Sequence, residues 1–269
     1  MPTSLNQLWN VAGSGVHSQQ RALEVLSHNV ANSNTIGFKA SQTRFQAVIR
    51  EVTLNAEEAG LFTQAQPGDV IQEGMGTLLT ETSHLFSQGS LQRTEQPLNL
   101  AISGEGFFQV TDPAGAIRYT RAGDFQRDGG GRLVNRDGHT LTPAIVIPPE
   151  MTEVFVDGAG QVLGRPATGE GESQLLGTIQ IATFTNGDGL VNTGRNNFAP
   201  TAVSGPAQLG APGADGRGSL LSGFIESSNV DLGQEMVTLL RTQRTYSLSL
   251  RALSLADQLH GMANELPRS

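Results

Sequence analysis

The side chains able to carry acid–base or metal chemistry are few and dispersed. The histidines are His17, His28, His84, His139 and His260. None has a second histidine at ligand spacing, and no His-Glu-x-x-His run is present to seat a zinc ion. Cysteine is absent, which removes disulfides, thiolate metal sites and a thiol nucleophile. Asp124, Asp128, Asp137 and Asp157 lie in or beside turns. The Asp-x-Asp-x-Asp-Gly calcium spacing is missing, so turn chemistry accounts for them better than metal binding. Gly104-Glu105-Gly106 lacks the third glycine of a dinucleotide loop and reads as a turn, and Glu105 has no evident partner for acid–base work. There is no Walker loop and no Gly-x-Ser-x-Gly elbow. The expectation is a protein that is not an enzyme, holds no metal and uses no cofactor.

Function must then lie in surfaces, and composition narrows which. The chain has 269 residues, enough for one large domain or two ordinary ones. Its formal charge of −8 argues against a nucleic-acid partner. No run of 18 apolar residues exists, so no membrane insertion by a helix is expected. Met1 to Val16 has neither a cationic start nor a continuous apolar stretch, so no cleaved secretory signal is expected. Charged residues make up only 16%, and Lys39 is the single lysine.

The two ends read alike and the middle does not. Near the N-terminus Leu5, Leu8, Ala12, Val16, Leu23, Leu26 and Val30 recur at helical spacing, joined by Trp9, with Gly13, Ser14, Ser18 and Gln20 opposite. The pattern predicts a helix from about 4 to 31, stopped by the Asn29-to-Gly37 turn residues. Only Arg21 and Glu24 are charged in it, too few for a freely solvated helix. Near the C-terminus Ser227-Ser228-Asn229 offers caps and Asp231 and Glu235 suit a helix start. Met236, Leu239, Gln243, Tyr246, Leu250 and Leu253 then step as a heptad seam. A second apolar line, Val237, Leu248, Leu255 and Leu259, lies roughly 150–180° away. Arg241, Arg244 and Arg251 border it. The predicted helix runs from about 230 to 263.

Between the helices, short strand-like runs alternate with Gly-rich turns from about 96 to 205, the signature of an antiparallel β domain. Residues 204–219 read as a linker or long loop. Residues 36–95 are ambiguous, with a short helix at 41–51 and strand-like pieces near 77–86 as the candidate readings. The fold class is therefore α+β: long terminal helices pairing as a coiled-coil-like unit, with a central antiparallel β domain. Helices of about 28 and 34 residues would be about 42 and 51 Å long. A pair supplies one interface, whereas the C-terminal helix has two apolar faces. The surplus face packs either on the β domain or on a partner outside the chain.

Four blocks, in order, resemble the bacterial flagellar rod and hook protein family. Ser27-His28-Asn29-Val30-Ala31-Asn32-Ser33-Asn34-Thr35-Ile36-Gly37-Phe38-Lys39 is similar to its N-terminal signature. Leu98-Asn99-Leu100-Ala101-Ile102-Ser103-Gly104-Glu105-Gly106-Phe107-Phe108-Gln109-Val110 resembles its entry into the β domain, and Tyr119 to Phe125 the strand that follows. Glu226-Ser227-Ser228-Asn229-Val230-Asp231-Leu232, Glu235-Met236-Val237 and Thr242-Gln243-Arg244-Thr245-Tyr246 match its C-terminal signature. The chain is too short for a typical hook protein, and Leu85 to Thr94 resembles the distal-rod members. Two departures stand out: Ser247-Leu248-Ser249-Leu250-Arg251 replaces the usual polar continuation, and Glu51 to Gln72 lacks the form expected of a distal-rod chain.

The resemblance implies a structural subunit of a hollow helical rod that transmits torque and conducts exported subunits. It implies an inner tube made of residues 1–35 and 228–269, a linker region 36–95, a β-rich outer domain 96–205 and a return linker 206–227. The implied partners are copies of itself as a homo-oligomer, proximal-rod proteins, the hook protein, the rod cap and export apparatus, and ring bushing proteins where the cell has an outer membrane. The implied location is the flagellar basal body, reached by type III export without a cleaved signal. Self-assembly residues on this reading are Leu23, Leu26, Asn29, Asn32, Asn34, Gly37, Phe38, Asn229, Met236, Leu239, Gln243, Arg244, Tyr246, Leu248, Leu250, Leu253 and Leu255. A proximal-rod paralogue and, remotely, a wall-acting enzyme are the alternatives.

Overall fold

A computed structural model describes residues 2–53, 70–166 and 173–265. The architecture is α+β, with a long helix near each end and antiparallel strands between them. The chain divides into two compact units. A helical unit comprises residues 1–30, 41–83 and 232–269, and a β unit comprises 31–40 and 84–231.

In the helical unit, α1 spans Pro2–Ala31 and α2 spans Leu232–Glu265. Proline suits the first helical turn, where its missing N–H costs nothing. The stretch expected as a linker forms two long paired strands: β1 (Ser41–Thr53) stands where a short helix at 41–51 was the candidate, and β2 (Val70–His84) takes in most of the strand-like pieces near 77–86. Phe45, Val48, Ile49 and Val52 sit at helix-like spacing, but β-branched residues also favour strands, and pairing with β2 decides the outcome. Most of the residues from Glu51 to Gln72 that depart from the family pattern fall in 54–69, outside the described residues.

Contacts between the two helices move in opposite directions along them. Trp9 Nε1 donates to Asp257 Oδ1 at 2.7 Å, a Cβ on Gly15 would stand 3.8 Å from Ser249 Oγ, and Asn29 Nδ2 donates to Glu235 Oε1 at 3.1 Å. The helices are antiparallel neighbours. β2 meets α1 as well: Ser18 Oγ lies 3.0 Å from Thr77 Oγ1, and Thr77 N donates to Ser14 Oγ at 3.2 Å. Ser14 and Ser18, expected on a face opposite the apolar stripe, are thus packed against β2, and Ser18 is buried.

The β unit folds around its own core. Its largest sheet includes the neighbouring strands Phe107–Thr111, Ile117–Thr120 and Asn197–Ala199, and continues through Thr140–Leu141 and Leu133–Val134. A three-stranded sheet holds Met151–Val156, Gln161–Pro166 and Gln174–Thr178. Leu100, Phe108, Val110, Leu133, Leu141, Val162, Ile179 and Ile181 lie in one buried cluster. Phe107, Tyr119, Ala182, Leu190 and Phe198 form a second.

One turn design recurs four times in this unit. At Asp112, Asp128, Asn135 and Asp157 the side-chain Oδ1 accepts backbone N–H bonds from the second and fourth residues on, at 2.8 to 3.1 Å. Three residues after each stands a glycine at positive φ, namely Gly115, Gly131, Gly138 and Gly160. A type I turn closed by a left-handed residue needs this pair, an Asx side chain to hold the turn and a glycine to reverse it.

Candidate self-assembly site

The expected assembly residues separate into helix faces in one unit and a polar junction in the other. On α2 the partly covered positions are Glu235, Leu239, Thr242, Tyr246, Ser249, Leu253 and Ala256, stepping by four and three. Leu239, Tyr246 and Leu253 of the expected seam lie on this line. Met236, Gln243 and Leu250 do not; they are exposed, and Arg244 is exposed too. The offset has a physical cause. Small and polar residues, Thr242, Ser249 and Ala256, alternate with the large ones on the covered line, matching the small α1 surface that includes Gly15.

The second apolar line stands open to solvent. Its members Val237, Leu248 and Leu255 are 49 to 62% exposed, and Leu240 and Met262, outside the expected line but on the same face, are each 56% exposed. At 100° per residue they centre roughly opposite the covered line. On α1, Leu23 and Leu26 are half-buried and Asn29 is buried. Asn29 Nδ2 also donates to Ser41 O at 2.8 Å, and Ser41 N donates to Asn29 Oδ1 at 2.9 Å, so this side chain ties α1 to the start of β1. The side chains of Leu5, Leu8 and Leu259 lie outside the described residues.

In the β unit, Asn32 O accepts from Thr35 N at 3.1 Å, closing the turn after α1. Asn34 is exposed. Gly37 has φ of 66°, and a Cβ there would collide with the backbone of Arg121 and Ala122. Phe38 is buried. Asn229 joins three segments: its Oδ1 accepts from Ala40 N at 2.8 Å, and its Nδ2 donates to Leu85 O at 2.7 Å and Ser87 O at 3.1 Å.

Three residues at this junction were not among the expected ones. Lys39 and Glu226 are sealed, 0 and 1% exposed, with Nζ 2.7 Å from Oε1. Lys39 Nζ also donates to Ser87 O at 2.8 Å, and Gly89 N donates to Glu226 Oε1 at 2.8 Å. Arg121 Nη1 lies 3.6 Å from Glu226 Oε2, Nη2 donates to Gly104 O, and the guanidinium sits 5.3 Å over the Phe107 ring. Burial pulls both cations below their ordinary pKa, and Glu226 opposes that pull on each. A lone lysine between Phe38 and Ala40 was the sequence signal for the cluster. Its partner, 187 residues away, had none.

Among the described residues no group of three or more His, Asp or Glu is placed to hold a metal. Glu105 lines a cleft of about 300 Å³ with Phe86, Phe107, Arg121, Phe184 and Asp188. No described helix is long and apolar enough to cross a membrane.

Comparison with known proteins assigns the chain to a family. The flagella basal body rod protein family model matches residues 10–39. The flagellar hook protein FlgE/F/G D1 domain matches 101–164, and the flagellar basal body rod FlgEFG protein C-terminal domain matches 221–266. The flagellar basal-body rod protein FlgG of Caulobacter vibrioides is 36% identical over 97% of this chain and 99% of its own length. The chain belongs to the flagellar basal-body rod protein family. FlgG of Borreliella burgdorferi is 35% identical over 98% of this chain and 99% of its own length, and FlgG of Buchnera aphidicola from Acyrthosiphon pisum 34% over 94% and 96%. As a rod-family member the protein is a structural subunit of the flagellar basal body. The matches at 10–39 and 221–266 cover the Asn29 contacts, the Lys39–Glu226 pair and the open line of α2.

Proposed function

We propose that this rod subunit polymerises through its helical unit into a hollow helical drive shaft, which transmits torque and conducts exported subunits. On this reading α1 and α2 act as a coiled-coil-like pair in the inner tube, and residues 96–205 form the outer domain. The position is the distal rod, next to proximal-rod proteins and the hook protein, with rod cap, export apparatus and, in an outer-membrane cell, ring bushings as further neighbours. Export is by the flagellar type III route, and the role is structural and not catalytic.

The observation that carries this reading is the open line Val237, Leu240, Leu248, Leu255 and Met262 on α2. An exposed apolar line of this kind, broken only by Arg244 and Arg251, calls for a covering surface. A heterologous contact that does not close on itself extends into a helix. Changing Leu248 or Leu255 to Asp is expected to abolish polymer formation in sedimentation and electron microscopy while the β unit keeps its fold by circular dichroism. Normal polymers from both variants would remove the reading. Imaging the labelled protein in purified basal bodies separates distal from proximal placement.

A further inference from the structure

The buried cluster of Lys39, Arg121 and Glu226 places two cations against one carboxylate inside the β unit. Glu105 adds a further favourable field at Arg121, while Arg121 itself disfavours the charge on Lys39. Glu226 is the contribution of the C-terminal side of the unit. Its own strand, Phe224–Glu226, pairs with Leu91–Arg93, and its carbonyl accepts from Gly37 N at 2.8 Å. Nearby, Ser219–Ser222 pairs with Leu100–Ser103, carrying Leu220 into the main core. Without residues 219–229, Lys39 would keep only the neutral Ser87 carbonyl as a partner and would face Arg121 with no carboxylate between them. An unpaired buried charge is among the costliest things a fold can contain.

We propose that Glu226 makes closure of the β unit conditional on the C-terminal segment: residues 37–40, 85–91 and 121–123 come together only when 219–229 docks. Until then the junction stays open, however much of the remaining sheet has formed. The device is a requirement for two distant parts of the chain to be present together, and it stands independently of the assembly reading above.

Lys39 supplies the readout, because it is the only lysine in the chain. In the native full-length protein, acetylation by an amine-reactive reagent, followed by peptide mass spectrometry, should be slow at Lys39. In Glu226→Gln it should be about a hundredfold faster, as expected when one partner of a buried ion pair is removed. Amide exchange over 107–111 and 117–120 should stay slow, showing that the sheet has not simply unfolded. The order of events is tested on the unmutated chain by pulsed hydrogen exchange during refolding. Residues 37–40 and 85–91 should gain protection together with 219–229, and not before. Lys39 in Glu226→Gln reacting as slowly as in the native protein would overturn the proposal. So would early protection of 37–40 and 85–91, which decides the matter even if the variant fails to fold.

Discussion

The helical unit and the β unit bury opposite kinds of side chain. In the β unit the sealed residues include Phe108, Phe125, Leu133, Leu141, Ile179 and Ile181. In the helical unit the described residues sealed from solvent are Ser18, Ala22, Asn29, Ser83 and Ala256, while Trp9, Ile49, Leu78, Leu240, Leu248 and Leu255 stay exposed. Burial stabilises in proportion to apolar area, so the β unit carries its own source of stability. The helical unit is held by close approach of small residues and by a few hydrogen bonds. Several of its described large apolar side chains, Trp9, Leu240, Leu248 and Leu255 among them, are left exposed, which is the state expected of a surface completed by other molecules.

The sharpest way to break this contrast is to truncate one large residue in each unit. Phe108→Ala removes a sealed ring that meets Phe125 edge-on at 5.2 Å. It is expected to cost about 3–5 kcal/mol in denaturant unfolding of the monomer. Leu248→Ala removes an exposed side chain and should change the same measurement by less than about 0.5 kcal/mol. Equal losses would mean that the two units are stabilised in the same way.

A smaller effect tests the β unit at its margin. Gly37→Ala must adopt a left-handed backbone and press a methyl group on the chain at Arg121 and Ala122. A loss of about 1–3 kcal/mol is expected in thermal or denaturant unfolding. An unchanged midpoint would show that the segment moves aside freely and that 31–40 is not firmly part of the β unit.

Least in size, but cleanest in sign, is the acid response of one turn. Hydrogen bonds from the Arg132 backbone, and then from its side chain and Gly130 N, hold the Asp128 carboxyl below its ordinary pKa. A depressed folded-state value means that the turn's contribution is complete above the usual carboxylate pKa of about 3.9 and is lost as pH falls through the lower folded value. Asp128→Asn should keep the turn, as Asn135 does at the equivalent position, and remove that part of the acid sensitivity. Unfolding midpoints measured between pH 5 and pH 2 compare the two proteins. Identical profiles would detach the turn from the stability of the β unit.

The same contrast explains what could be read from the sequence. The helices expected at about 4–31 and 230–263 are found at Pro2–Ala31 and Leu232–Glu265, because apolar periodicity and caps are local signals. The β region was legible through its turns, whose Asx and glycine residues lie within five positions of one another. The seam on α2 was half legible: Leu239, Tyr246 and Leu253 are covered, but Thr242, Ser249 and Ala256 replace the larger residues between them. Hydrophobicity alone favours big side chains, whereas close helix contact selects small ones. Strand-like pieces near 77–86 and the lone Lys39 were visible, but the pairing of β1 with β2 and of Lys39 with Glu226 joins residues distant in the chain, and no local pattern announced either pairing.

The repeated turn has a practical consequence. A methyl group added at Gly131 would meet Ile147 O at 2.5 Å and one at Gly160 would meet Ile179 O at 2.6 Å, whereas one at Gly115 or Gly138 meets nothing within 4 Å. The loop from Asp112 to Ala116 therefore projects into free space while its base is clamped by its own side chain. A cysteine in place of the exposed Ala114, in a chain that otherwise has none, would carry a label with the folded β unit and leave the Asp112 clamp in place. That gives microscopy a fixed landmark for locating the β unit of each subunit.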